Sequence, residues 1–299
     1  ETGGIYDPTS KAKKSSGWDD AVNGMAFGKG DYGVIARVNA AFSEIEAEIQ
    51  RQYQKQISVA RLVVNAFGFS RGAAAARHFV NLAKKQPQRF KFLGINKPGA
   101  VQVNFVGLYD TVSSFGGNFN NDEENLMLNF SQFNSQATKP KVFQIVALDE
   151  YRENFSITHI KSARNGKFGI EVGINGAHSD IGGGYHVQES EEYDTEVNQQ
   201  VLRNWLIGKG FYKKFEERYT YVGKDSRKQL SHYHAARTVY QGIHKISLKI
   251  MRVTLEHAIV DIKFNKTLEF EEAVTGKVKT EMGHFAAKVN QLCLLYTSD

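Results

Sequence analysis

Residues 66–74 read Ala-Phe-Gly-Phe-Ser-Arg-Gly-Ala-Ala, a G-x-S-x-G pentapeptide that follows the largely apolar run Leu62 to Phe67 and precedes an alanine-rich stretch. Strand, glycine-flanked serine and helix in that order place Ser70 on a sharp turn, as a candidate nucleophile. A serine at such a turn sits in strained backbone geometry, and Gly68 and Gly72 are expected to let neighbouring chain segments pass without Cβ clashes. The hydroxyl then projects clear of the sheet. Three fixed residues of common types decide little by themselves; the flanking strand and helix carry the reading.

Upstream, Val34, Ile35, Val38, Ala41, Phe42, Ile45 and Ile49 recur at three- and four-residue steps, which predicts an amphipathic helix from Tyr32 to about Tyr53. Residues 1–30, rich in Gly, Ser, Lys and Asp, read as loop. Downstream, the helix from Arg71 to about Lys84 carries the run Ala73 to Ala76, which permits close packing on a sheet. Three more apolar runs follow. Val101 to Tyr109 ends at Asp110-Thr111, Val142 to Leu148 at Asp149-Glu150, and Phe168 to Ile174 at Asn175-Gly176-Ala177-His178-Ser179-Asp180-Ile181 and the triplet Gly182-Gly183-Gly184. Strands separated by helical or long connecting segments predict an α/β fold with a doubly wound, mainly parallel sheet. Ligands of such sheets bind beyond the C-terminal strand ends, where Ser70, Asp110, Asp149 and His178 all fall. From Glu196 to Val260 the pattern reads as helical. The expected organisation is an N-terminally truncated core over residues 1–190, a helical cap or covering region over 191–292, and a tail, Cys293 to Asp299, resembling the in-frame translation of a sequencing adapter.

The 299 residues carry 38 Lys and Arg against 32 Asp and Glu, for a formal net charge of +6. The charges are mixed along the chain, and no basic block with interleaved aromatics appears, which argues against nucleic acid as a partner. No apolar run approaches the roughly 18 residues needed to span a bilayer. The opening Glu-Thr-Gly-Gly-Ile-Tyr has no initiator Met and no charged-then-apolar leader, so it reads as an internal start. One cysteine supports no internal disulfide framework.

Serine needs an adjacent base to become a useful nucleophile, and the base needs an acid to hold its tautomer. In hydrolases of this type the chain order is Ser, then Asp or Glu, then His. Ser70, Asp110 and His178 satisfy it, with Asp149 and Asp180 as alternates for the acid. Asp180, two residues from His178, is better suited to capping or orienting the loop. The Arg71 backbone N–H, at a helix N-terminus, is the expected oxyanion donor. A metal site built from His178, Asp180, Asp110 and Asp149 is the rival chemistry, but no H-E-x-x-H or paired-cysteine spacing supports it, so neither metal nor cofactor is expected. His78, His232 and His234 read as structural.

The segments Phe67-Gly68-Phe69-Ser70-Arg71-Gly72-Ala73, Phe105-Val106-Gly107-Leu108-Tyr109-Asp110-Thr111-Val112-Ser113-Ser114, Ala147-Leu148-Asp149-Glu150 and Gly176-Ala177-His178-Ser179-Asp180-Ile181-Gly182-Gly183-Gly184-Tyr185 resemble, in order, the first family of type VI secretion phospholipase effectors. The resemblance spans roughly residues 3–190. It implies an α/β-hydrolase fold, a Ser-Asp-His triad and hydrolysis of membrane phospholipid esters, often by a toxin injected from a producer's cytoplasm into a rival bacterium's periplasm. It further implies peripheral membrane contact and secretion-spike and immunity proteins as partners. Carried over by motif, Ser70 matches the nucleophile, Asp110 the acid and His178 the base. The chain departs from the family in lacking the early strand with its Asp-Gly-Thr motif, so the second oxyanion donor has no candidate residue. A general carboxylesterase or lipase unlinked to secretion, and an interaction module that keeps the fold without turnover, are the alternatives.

Overall fold

The computed structural model describes residues 33–53, 58–95, 97, 99–113, 123, 128–135, 139–152, 155–183, 188–222, 228–240 and 244–258. Four strands, β1 (Leu62–Phe69), β2 (Val101–Tyr109), β3 (Lys141–Ala147) and β4 (Gly169–Ile174), lie side by side in chain order, each parallel to the next. Parallel neighbours need crossover connections. Helix α1 (Val34–Tyr53) precedes β1, and α2 (Arg71–Lys85) with the 3-10 segment Pro87–Leu93 joins β1 to β2.

Strand alternation sends side chains into two layers. In one, Ala66, Val103, Val106, Leu108 and Val142 pack with Ala73, Ala76 and Val80 of α2. In the other, Phe105, Phe143 and Ile145 pack with Ile181 and with Ile250, Met251 and Leu255 of helix α6 (His244–Ala258). Pairing steps from Val64 opposite Val103 to Asn65 opposite Phe105, which leaves Asn104 as a bulge. The extra residue inverts the alternation, so Val103 and Val106 share a layer while Phe105 faces the other. A third cluster seats Val38 and Phe42 of α1 on Leu82, Ala83, Phe90 and Val101.

The alanines bring α2 close to the sheet: a Cβ on Gly68 would collide with the backbone carbonyl of Gly72. Gly72 itself corrects the expectation above, since a Cβ there meets nothing within 4 Å. Its role is to offer the backbone that Gly68 approaches.

The described residues form two compact units, one up to Gly182 and again from His244, the other Gly183–Ile243. The second holds an antiparallel sheet in the order β5 (Gln188–Glu196), β7 (Lys228–Tyr240), β6 (Glu216–Val222), with helix α5 (Gln200–Gly208). Within it Trp205 stacks on Phe211 at 5.9 Å, the Arg203 guanidinium lies 3.9 Å from the Tyr233 ring centroid, and His234 Nδ1 lies 2.8 Å from Asp194 Oδ1. This corrects the helical reading of Glu196 to Val260, in which, among the described residues, only α5 and α6 are helices. Strands β6 and β7 are rich in charged, His and Tyr residues and are held by cross-strand pairing, such as His234 opposite both Asp194 and Glu216, which a local pattern does not display. The expected covering region beyond residue 190 is likewise divided, because α6 belongs to the unit that contains the parallel sheet. The loop read at residues 1–30 and the tail Cys293 to Asp299 lie outside the described residues. Among the described residues no helix is long and apolar enough to cross a membrane.

Candidate active site

Ser70 joins β1 to α2 with φ 58° and ψ −127°, a backbone that side chains with a Cβ rarely adopt. Its N–H donates to the Tyr109 carbonyl at 3.0 Å, and its own carbonyl accepts from Ala73 N–H at 3.0 Å and from Val112 N–H at 3.3 Å. The elbow is therefore stapled to the chain on both sides of Asp110. Asp110 is itself left-handed, at φ 43°, and its N–H donates to the Ile145 carbonyl at 2.7 Å. Because Phe69 pairs with Tyr109, two neighbouring parallel strands end side by side in the two strained residues. Arg71 opens α2, where the first backbone N–H groups have no intrahelical acceptor. Burial lowers the pKa of its guanidinium from the ordinary value.

His178 opens the short helix α4 (His178–Gly182) beyond β4. Its Nδ1 lies 2.6 Å from Asp110 Oδ2, with the two residues only 3% and 1% exposed. Asp110 Oδ1 accepts from Ala147 N–H at 2.8 Å, fixing the carboxylate's plane. An ionised carboxylate can only accept, so Nδ1 carries a proton and, in the neutral ring, Nε2 keeps its lone pair.

The loop that delivers His178 is built on carboxylates. Three consecutive amides donate to three different acids: Gly176 to Asp149 Oδ2 at 3.0 Å, Ala177 to Asp180 Oδ2 at 2.8 Å, and His178 to Glu150 Oε2 at 3.0 Å. The alternates for the acid are thus bound to backbone, and the imidazole goes to Asp110. Two rings flank that imidazole, Phe69 with centroids 4.4 Å apart and Phe155 edge-on at 5.0 Å. A Cβ on Gly182 would run into the Phe69 ring. Phe69 is the residue before Ser70, so the same ring borders both the elbow and the histidine.

Behind Asp110 lies a buried polar network that the sequence reading did not assign. Thr111 Oγ1 donates to Gln144 Oε1 at 2.5 Å, Gln144 Nε2 donates to the Thr158 carbonyl at 3.0 Å and to Glu171 Oε2 at 2.9 Å, and Thr158 Oγ1 donates to Ser113 Oγ at 2.6 Å. All four of Thr111, Ser113, Gln144 and Thr158 are fully buried. The available signal was Gln144, a polar residue inside an apolar strand, which must find partners when buried. Arg77 of α2 is also fully buried: it donates to the carbonyls of Leu128, Thr158 and His159 and pairs with Glu123 at 2.8 Å. Burial pulls its pKa down to about 10 against the charges of Glu123 and Glu171. Among the described residues no three His, Cys, Asp or Glu side chains are grouped to hold a metal ion.

Residues 83–209 match the family model described as T6SS, Phospholipase effector Tle1-like, catalytic domain. No curated protein sequence matches the chain. Among solved structures, the Tle1 effector bound to the VgrG spike from the Type 6 secretion system is similar, with a TM-score of 0.58 and 23% sequence identity. That similarity covers 88% of this chain and 60% of the other, so the chain spans well under the full length of its structural relative. The chain therefore shares the mixed α/β fold of the Tle1 effector and, over residues 83–209, resembles the Tle1-like phospholipase effector catalytic domain in sequence.

Proposed function

We propose that the chain is a serine esterase that hydrolyses acyl esters of membrane phospholipids and acts as an antibacterial effector of a type VI secretion system. The observation that carries this reading is the buried 2.6 Å bond between His178 Nδ1 and Asp110 Oδ2, beside a left-handed serine on the adjoining strand end. Ser70 Oγ attacks the acyl carbonyl while His178 Nε2 takes its proton, and Asp110 stabilises the resulting imidazolium. The oxyanion of the tetrahedral intermediate meets the Arg71 N–H at the positive end of α2. Collapse returns the proton to the leaving glycerol oxygen, releasing a lysophospholipid and leaving Ser70 acylated. Water activated by Nε2 then frees the fatty acid. No metal or cofactor enters the scheme.

The match to a phospholipase effector domain supports a lipid ester as substrate. The relative solved on a VgrG spike supports delivery by a secretion spike, with the target cell's periplasm as the site of action and an immunity protein in the producer. A fluorophosphonate probe is expected to label the protein, with labelling lost in Ser70→Ala and blocked in His178→Ala. Phosphatidylglycerol and phosphatidylethanolamine vesicles should release lysophospholipid and fatty acid, read by mass spectrometry. Labelling without lipid release would reduce the reading to a general esterase. A folded wild type that takes no probe would sink it.

A further inference from the structure

We infer that Glu150 and Arg152 are positioning residues for His178, an ion pair whose two halves bias the proton affinity of the base in opposite senses. This rests on the reading of His178 as the general base. Glu150 is held from many sides: Oε1 accepts from the Tyr151 N–H at 3.0 Å and from both the backbone N–H and Nε of Arg152 at 2.8 Å, and Oε2 accepts from Arg152 Nη2 at 2.8 Å and from the His178 N–H at 3.0 Å. The guanidinium is thus gripped as a two-pronged fork. Its flat face covers the Phe155 ring, 3.8 Å from the centroid, and Phe155 meets the imidazole edge-on. Glu150 therefore reaches His178 twice, directly through the backbone and indirectly through Arg152 and Phe155.

The pair has an electrostatic reason as well as a steric one. His178 already has Asp110 on its ring, with Asp149 and Asp180 on the amides just before it. A further uncompensated carboxylate favours imidazolium, whereas a general base serves best when its proton affinity is matched to the operating pH. Arg152, 36% exposed, sets a positive charge against Glu150, whose side chain is 8% exposed. Burial pushes the Glu150 carboxyl up, but the hydrogen bonds from Arg152 and from the His178 N–H, with the Arg152 charge, outweigh it and hold its pKa below the ordinary value. Among the described residues, the other titratable or charged groups on the elements around this loop are Tyr151 between the pair, Tyr109 at the end of β2, Arg71 at the start of α2, and His244, Lys245, Lys249, Arg252, Glu256 and His257 along α6, the helix that packs against the layer holding Ile181.

The test compares Glu150→Gln, Arg152→Met and the double variant in the full chain. NMR titration of the His178 imidazole reads the base even where turnover is absent, and kcat and KM for a soluble short-chain ester across pH read its catalytic consequence. Glu150→Gln leaves Arg152 uncompensated, so the His178 titration and the acid limb of kcat/KM move to lower pH. Arg152→Met leaves Glu150 uncompensated and moves both to higher pH, each shift being about 0.5–1 pH unit. The double variant returns towards wild type, and Glu150→Asp, which keeps the charge, leaves the limb in place. In Glu150→Gln, kcat falls about 10-fold with KM within twofold, as expected of a misplaced base. Single variants that leave the titration unmoved, or move it in the same direction, overturn the inference. If Glu150→Gln fails to fold, the upward shift in Arg152→Met and its absence in Arg152→Lys decide the matter. A wild type that takes no fluorophosphonate probe but shows the opposed titration shifts would remove the general-base reading and keep the pair.

Discussion

Ser70 and Asp110 hold backbones that cost on the order of 1–3 kcal/mol each, and both are over-determined by hydrogen bonds from the neighbouring strand. The strain is matched by chemistry at Asp110, whose Oδ1 faces the Ala147 N–H while Oδ2 faces the imidazole. In Asp110→Asn the carbonyl oxygen stays on the Ala147 N–H, so an NH₂ group turns to Nδ1 and forces the proton onto Nε2. A nucleophile facing a protonated Nε2 has no base. Steady-state kinetics should show kcat lower by about 10³–10⁴-fold, with a melting temperature close to wild type. Gly182→Ala tests the ring that links serine to histidine, because its new Cβ is driven into Phe69, which lies against His178. Ester turnover should drop at least about 10-fold. Gly208→Ala, on α5 where a Cβ meets nothing within 4 Å, should leave turnover unchanged. Equal activity in the two alanine variants would show that the Phe69 ring does not set the histidine.

At the scale of elements, α2 is tied to Leu128 and to residues 158–162 by one buried cation and its carboxylate partner. Arg77 reaches the carbonyls of Leu128, Thr158 and His159, and its partner Glu123 also accepts from the Ser162 N–H and Oγ. Arg77→Met strands Glu123 without its cation, and urea unfolding should show a loss of about 3–5 kcal/mol, the usual cost of breaking one side of a buried pair. The His178 loop adds a pH signature. Because the folded pKa of Glu150 lies below its ordinary 4.5, the folded chain binds fewer protons than the unfolded chain at mildly acid pH. Its stabilisation is therefore present above that ordinary value and is lost as pH falls through the lower folded one. Thermal melts from about pH 6 to 3 should fall more steeply for wild type than for Glu150→Gln. The four parallel strands were legible because each is an apolar run that ends in polar residues, and β2 coincides with its run from Val101 to Tyr109. Strands β6 and β7 were not, since their residues gain a sheet preference only from partners across the ladder. The acid at the imidazole was open for a similar reason: Asp110, Asp149 and Asp180 all lie beyond strand ends and all accept from backbone amides, and only the loop's path decides which of them meets the imidazole. Glu150 meets the His178 N–H 28 positions away, Gln144 meets Thr111 33 positions away and Arg77 meets Glu123 46 positions away, beyond any local spacing rule.

For the whole molecule, the unit that contains the parallel sheet is discontinuous in sequence: its strands end before Gly183, and α6 rejoins it from His244. Ser70, Asp110 and His178 all precede that return in sequence, so the proposed triad comes before the inserted segment and part of the core comes after it. The face of the sheet formed by Phe105, Phe143 and Ile145 has Ile250, Met251 and Leu255 as its cover. Burying three such side chains is worth about 1.5–3 kcal/mol each, together a large share of the roughly 5–15 kcal/mol by which a domain is stable. A chain ending at Ile243 keeps every residue of the proposed triad and should nonetheless melt without a cooperative transition, bind a hydrophobic dye and take no fluorophosphonate probe. Met251→Asp in the 299-residue chain separates loss of that contact from loss of everything beyond residue 243, because Met251 is 2% exposed and its sulfur lies 2.7 Å from where a Cβ on Gly107 would fall. A buried, unpaired carboxylate at this point should cost several kcal/mol and reproduce the truncated chain's behaviour in milder form. Cooperative melting and wild-type labelling in the chain ending at Ile243 would mean that the parallel sheet carries its active site without α6, and that the second layer of the core is dispensable.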